Sequence, residues 1–202
     1  MYNVLKSGFY LLFFLLLTLS AGCSTKVTRL EVDEVKDLSG RWNDTDSRMV
    51  ADAMVEDCLN RPWMTQFTTR TGKTPDIIVG RIRNRSSEHI STETFTKDLE
   101  RSLINSGRAS FVASAEERGA VRRERLDQDL HASPESRKAP GMEAGADYML
   151  IGTINSIIDR EGKEKVVYYQ VNLELVDMSN NRKVWIGDKK IKKFIDRASF
   201  GF

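Results

Sequence analysis

The 202-residue chain sets 31 Lys and Arg against 29 Asp and Glu, a formal net charge of +2 with both signs interspersed. That near-balance gives no argument for a nucleic-acid partner, and the length suits one domain of moderate size. The cysteines number two, Cys23 and Cys58, so no intramolecular disulfide framework follows once Cys23 has another use.

The chain opens with Lys6 and then a continuous apolar run, Gly8–Leu19, of about a dozen residues. A bilayer-spanning helix needs ~20, so the run reads as a secretory h-region. Small residues follow, and Leu19-Ser20-Ala21-Gly22-Cys23 resembles the lipobox of a bacterial lipoprotein. Leucine usually stands three places before the cysteine, whereas here that place is Ser20. The resemblance implies cleavage after Gly22 and lipidation of Cys23. Ser24 follows where an aspartate would signal inner-membrane retention, so by family analogy the anchor is in the outer membrane. Lys6 is the one charge in residues 1–22, so their removal takes the net from +2 to +1. Residues 23–37 are polar and mixed in charge, and read as a lipidated tether ahead of a domain spanning 38–202.

From Asp37 to Asp46 the oxygens lack the EF-hand order, and a loop ending in a helix N-cap at Thr45 or Asp46 fits better. That helix is expected to run to about Asn60, before Pro62, with Val50, Ala53, Met54, Cys58 and Leu59 facing inward. The run Ile77–Asn84 starts β-branched and then alternates, which predicts a central strand. Asn84–Ile90 is a loop. Ser91 or Thr92 caps the next helix, whose Phe95, Leu99 and Leu103 form a stripe ending at Ser106-Gly107. Ala109–Ala113 reads as a short strand. Ser114-Ala115-Glu116-Glu117 has the form of a capping box, opening a helix with Val121 and Leu126 expected inward. Ser133-Pro134-Glu135 reads as a further helix start.

Three strands close the chain. Ala146–Ile154 carries the first. In the second, Val167, Tyr169, Val171, Leu173 and Leu175 alternate strictly with Tyr168, Gln170, Asn172 and Glu174, one face buried and one wet. Asp177–Arg182 is the turn, and Lys183-Val184-Trp185-Ile186 begins the return. The basic run Lys189–Lys193 reads as a solvated strand end. The order predicts an α+β fold, a single mostly antiparallel sheet with helices packed against it.

No catalytic constellation stands out. G-x-S-x-G, S-x-x-K, H-E-x-x-H and P-loop patterns do not occur, and His89 and His131 lack neighbours at metal-ligand spacing. Cys58, at helical spacing with Val50 and Met54, reads as a buried inert thiol. No metal, cofactor or enzymatic activity is expected.

Several segments recur in a familiar order: Ile78-Val79, Asn84-Arg85-Ser86, Thr96-Lys97-Asp98-Leu99, Ser106-Gly107 and Phe111-Val112. Gly145–Leu150 and the hairpin Leu173–Asp177 through Lys183–Trp185 follow them. With the lipobox, these resemble the LpoB family of penicillin-binding protein activators over about residues 37–195. The resemblance implies an outer-membrane lipoprotein facing the periplasm. It would bind a class A penicillin-binding protein and stimulate peptidoglycan synthesis without an active site of its own. The best-known members carry a long Pro-rich spacer, whereas no proline stands here between Cys23 and Arg61. Arg83, Asn84 and Arg85, at a strand end and loop, are the candidate partner-binding residues. Asn84 also fits a turn-stabilising role, and Trp42 and Trp185 fit core-edge aromatics better than interface anchors. The alternative from another class is a component of an outer-membrane secretion or envelope assembly, similar to curli-secretion lipoproteins.

Overall fold

The computed structural model describes residues 27–31, 34–137 and 141–196. Cys23 and the segment read as a signal lie outside the described residues. The structure divides after Glu34, and the fold below belongs to the unit that begins at Val35.

Helix α1 (Asp44–Leu59) begins where an asparagine, not the expected Thr45 or Asp46, supplies the cap. The Asn43 side chain accepts from the Asp46 N–H, and the Asp46 carboxylate accepts from the Asn43 N–H, both at 3.0 Å. This reciprocal pair satisfies two otherwise orphaned donors. Val50, Ala51, Met54, Val55, Cys58 and Leu59 are buried along one stripe. Ala53, expected there, is only half-buried, because the stripe runs through positions 50/51, 54/55 and 58/59. The Cys58 thiol is buried as expected, and that burial, with the Asp57 charge adding to it, pushes its pKa up to about 12.

A second helix, α2 (Pro62–Thr71), occupies a stretch that the sequence pattern left unassigned. Pro62 sits in its first turn, where the missing N–H costs nothing. Trp63 and Phe67 pack edge-on against Tyr148, with ring centroids 4.9 and 5.5 Å apart.

Strand β1 (Asp76–Asn84) leads through the loop to α3 (Thr92–Asn105), capped by Ser91. Phe95, Leu99 and Leu103 are fully buried, as their four-residue spacing predicts. Gly107 then takes φ +65°, the left-handed conformation that ends the helix. Strand β2 is only Ser110–Phe111, and α4 (Ala115–His131) follows with the predicted capping box at Ser114 and Glu117. Val121 and Leu126, expected inward, are exposed, and α4 buries no residue among those described. Five positions correspond to ~500° of helical rotation, so these two side chains lie on different faces and form no stripe. Ser133 does not start a helix either. Its carbonyl accepts from the N–H groups of Ser136 and Arg137, which close a single turn.

The remaining strands are long: β3 (Tyr148–Glu161), β4 (Glu164–Asp177) and β5 (Lys183–Asp196). The sheet order is β2-β1-β3-β4-β5. The last three strands are antiparallel, while β1 lies parallel to both β2 and β3. This is the expected α+β sheet, with a parallel edge contributed by the βαβ crossover through α3. The five alternating residues of β4 are all at most 1% exposed and belong to the same core cluster as the buried faces of α1 and α3. The opposite face carries exposed Ile157, Ile186 and Phe194. The lysine run Lys189–Lys193 lies within β5 and is not uniformly solvated. The Lys193 side chain is 11% exposed, and its ammonium bonds the Asp46 carboxylate at 2.6 Å and that of Asp37 at 2.8 Å. An ammonium on an inward-facing strand position is held there by two carboxylates.

Two outcomes follow. Phe95→Ala should destabilise the domain by ~3–5 kcal/mol, whereas Val121→Ala should change stability by less than ~0.5 kcal/mol, both read from denaturant melts. Cys58 should resist iodoacetamide in the folded chain at pH values up to the approach of about 12, and react readily once unfolded. Its folded pKa is raised, so its contribution to stability is complete below about pH 9 and declines between 9 and 12 as the unfolded thiol ionises.

Candidate docking surface

At Asn84 the chain must leave a strand and enter a helix within seven residues, and the loop that does this is heavily cross-braced. The Asn84 Oδ1 accepts from the Ser86 N–H at 2.9 Å and from its hydroxyl at 2.7 Å. The Asn84 Nδ2 donates to the Glu88 carbonyl at 2.7 Å. Both ends of this amide are therefore engaged within the loop, as an Asx-type turn requires. The Ser87 N–H donates to the Ser156 hydroxyl at 3.1 Å, tying the loop to β3.

Glu88 anchors the loop to the core. Its side chain is 9% exposed, and its Oε2 accepts from the Tyr169 hydroxyl at 2.6 Å and from the Trp42 N–H at 3.3 Å. Lys165 approaches the other oxygen to 4.0 Å. Burial first, and then this hydrogen bond and the Glu88 charge, hold the Tyr169 hydroxyl well above the usual phenol range.

The consequence for the predicted residues is clear. Arg83 and Arg85 are exposed on alternate positions, and Asn84 between them is half-buried and turned into the loop. The Arg85 N–H donates to the Ile154 carbonyl at 2.8 Å, so its backbone is fixed while its guanidinium is free to reach outward. Two further arginines, which no local motif joins to these, border the same groove of about 1000 Å³. They are Arg81 on β1 and Arg123 on α4. Its walls are joined by Lys97, which bonds Glu100 at 2.7 Å and Glu117 at 2.8 Å across α3 and α4. That contact, with Ser114 at the helix cap, draws the Glu117 carboxyl down to about 2.

Other ionisable groups pair at helix and strand contacts. The Ser47 hydroxyl donates to Asp98 at 2.6 Å, and Asp98 also meets Arg101. Among the described residues no three His, Cys, Asp or Glu side chains gather as a metal-ligand set. Trp185 is buried and donates to Asp57 at 2.9 Å, while Trp42 packs edge-on against Phe95 and Tyr169. Both belong to the core and its edge. No helix of the described residues is long and apolar enough to cross a membrane. The arrangement presents guanidiniums from backbone positions held by strand and loop, suited to recognition of carboxylates.

Comparison with known proteins gives one assignment. The chain matches no curated protein. Among solved structures it is similar to the LpoB C-terminal domain from Escherichia coli, at 17% identity and a TM-score of 0.44 over 73% of this chain and 99% of that one. It is also similar to lipoprotein GNA1162 from Neisseria meningitidis, at 16% identity and a TM-score of 0.38 over 62% of this chain and 88% of that one. PelC from Paraburkholderia phytofirmans, a dodecamer, shows 19% identity and a TM-score of 0.35 over 60% of this chain and 72% of the other. The assignment rests on the family model described as peptidoglycan-synthase activator LpoB, which matches residues 46–191. From α1 through most of β5, this chain belongs to the LpoB family of peptidoglycan-synthase activators.

Proposed function

We propose that this protein is an outer-membrane lipoprotein, anchored through acylated Cys23, that binds and activates a class A penicillin-binding protein. It has no turnover of its own. The observation that carries this reading is the family match across residues 46–191, the body of the folded domain. The exposed Arg83 at the end of β1 and Arg85 in the braced loop support it as the docking edge. Activation works by differential affinity, since a ligand shifts a synthase toward its competent state only by as much as it prefers that state. Moving such an equilibrium from 1:99 to 99:1 demands about 10⁴-fold preference, so a modest activator needs far less.

The lipid sets a geometric limit. Two or three acyl chains, at ~0.8 kcal/mol per buried CH₂, hold the protein stably at the membrane surface. Residues 23–37, fully extended, reach about 50 Å at most. With so short a tether, either the synthase extends toward the outer membrane, the periplasm is thin, or this family member serves another partner.

Protein comprising residues 23–202 should raise the glycan polymerisation rate of the host's class A synthase and release no product when incubated alone with lipid-linked precursor. A rate unchanged at saturating protein, or envelope pull-downs that recover secretion components and no synthase, would reject the reading. Arg83→Ala combined with Arg85→Ala should raise the half-activating concentration several-fold and make activation less sensitive to salt, because two of the screened charges are gone. In cells, Cys23→Ala should abolish acyl labelling and release the protein from the outer-membrane fraction.

A further inference from the structure

The edge of the sheet at β1 is left open. Strand β2 pairs only with Asp76 and Ile77, and the last bond on that side runs from the Val112 N–H to the Ile77 carbonyl at 2.9 Å. The chain then departs into α4, so from Val79 to Asn84 no strand of the described residues pairs with that side of β1. Six residues of strand make an edge of ~20 Å. Unlike most edges, this one is neither bare nor covered. It forms the floor of the groove between α3 and α4, whose walls Lys97 fixes through Glu100 and Glu117.

The charge left over along the groove is biased toward cations. Arg81, Arg83, Arg85 and Arg123 have no carboxylate within 4.0 Å among the described residues. Against them stand Glu93 and Glu116, because Glu100 and Glu117 are already engaged by Lys97. Near the middle, β1 shifts register against β3 between Val79 and Ile82. Gly80 lies within that shift, and a Cβ there would meet Met149 and Ile151 side-chain atoms at 2.9 Å. The bulge thus turns Arg81 out to the exposed side with Arg83, while Ile82 remains buried.

We propose that this open edge receives an extended, acidic segment of a partner protein, added as a sixth strand alongside β1. The inference rests on the reading of the chain as a docking activator and names how its partner is held. Main-chain hydrogen bonds to β1 supply attachment, and the guanidiniums select a strand rich in Glu or Asp. The competing role for a bulge and charges at an edge is to repel stray strands. Such an edge would reject the acidic segment as well as any other.

The test uses ¹⁵N-labelled residues 23–202 and a blocked twelve-residue peptide alternating Glu with Val or Thr. Amide shifts should concentrate at Val79–Arg85 and at Lys97 and Glu117, with affinity falling as salt rises. Reversing all three strand charges (Arg81→Glu, Arg83→Glu, Arg85→Glu) should weaken binding at least tenfold, and Arg83→Glu alone serves if the triple variant misfolds. N-methylation of alternate peptide residues should abolish binding, because it removes the strand's donors and leaves its charge. Equal shifts from the N-methylated peptide, or from polygalacturonate, would overturn strand addition in favour of simple charge attraction. An unperturbed β1 would equally overturn it. A charge-reversed chain that loses the peptide yet activates the synthase as well as the parent chain would overturn this inference and leave the activator reading intact. Peptide binding at β1 by a chain that fails to bind any synthase would support the edge and reject the activator reading.

Discussion

One hydrogen bond between core and surface decides how this domain can present itself: Tyr169 to Glu88, 2.6 Å, from the most deeply buried strand to the loop beside β1. The tyrosine ring is fully buried, so its hydroxyl emerges at a fixed point and cannot follow a moving loop. Glu88 in turn receives the Trp42 N–H, and Trp42 leans on Phe95 and Tyr169. A carboxylate taken from water is costly unless its bonds are replaced, and here Tyr169 and Trp42 both donate to Oε2, while Oε1 has only the Lys165 ammonium, 4.0 Å away, to offset its burial. The arginines at the end of β1 therefore project from a frame set by the core. A loop ordered before binding loses less entropy on docking, which is the advantage a recognition edge draws from such bracing.

A second buried charge performs the same task at the other side of the sheet. Lys193 reaches from β5 to Asp46 in the first turn of α1, to Asp37 and to the Arg41 carbonyl. Burial alone would lower its pKa, but the two carboxylates outweigh that and raise it, so the ammonium stays charged. Asp46 is thereby used twice, in the helix cap and in this ion pair. The chain entering the domain is fixed to the sheet through that network, and the N-terminal approach is placed where β5 ends.

How much of this could be read in advance depends on the range over which each signal acts. The alternation in β4 was legible because a half-buried strand imposes period two on its own residues. The stripe Phe95, Leu99, Leu103 and the box at Ser114 were legible for the same reason, each cause lying within a few residues of its effect. Helix α2 was missed because Pro62 signals both a helix stop and a helix start, and only the packing of Trp63 and Phe67 on Tyr148 separates the two. Val121 and Leu126 are apolar yet point away from a common face, so their composition suggests a buried stripe that their ~500° separation forbids. At the candidate surface, Arg83, Asn84 and Arg85 were placed together by adjacency, and Asn84 proved to be occupied by its own turn. Arg81 needed the bulge to be known, and Arg123 lies on a different element, so neither had a local signature. Glu88 and Lys193 were equally invisible, since a charge in a polar stretch gives no sign that its partner sits far along the chain.

The same contrast between local and distant causes explains why the open edge exists. Strand β2 is cut to two residues because Ser114 begins a strong helix cap, with its own N–H bonded to Glu117 at 2.8 Å. A helix starting so early pulls the chain off the sheet before β1 is covered. Helix α4 then buries no side chain among those described, and so contributes little packing in return for the pairing it forestalls. A domain selected only for stability would extend β2 along β1 and gain the ladder. Instead Lys97 holds α4 against α3 at the distance that leaves the groove standing, and the unpaired arginines line it. The local strength of one helix cap thus sets the length of a strand, and the length of that strand decides whether the sheet ends in a closed wall or in a place for another chain.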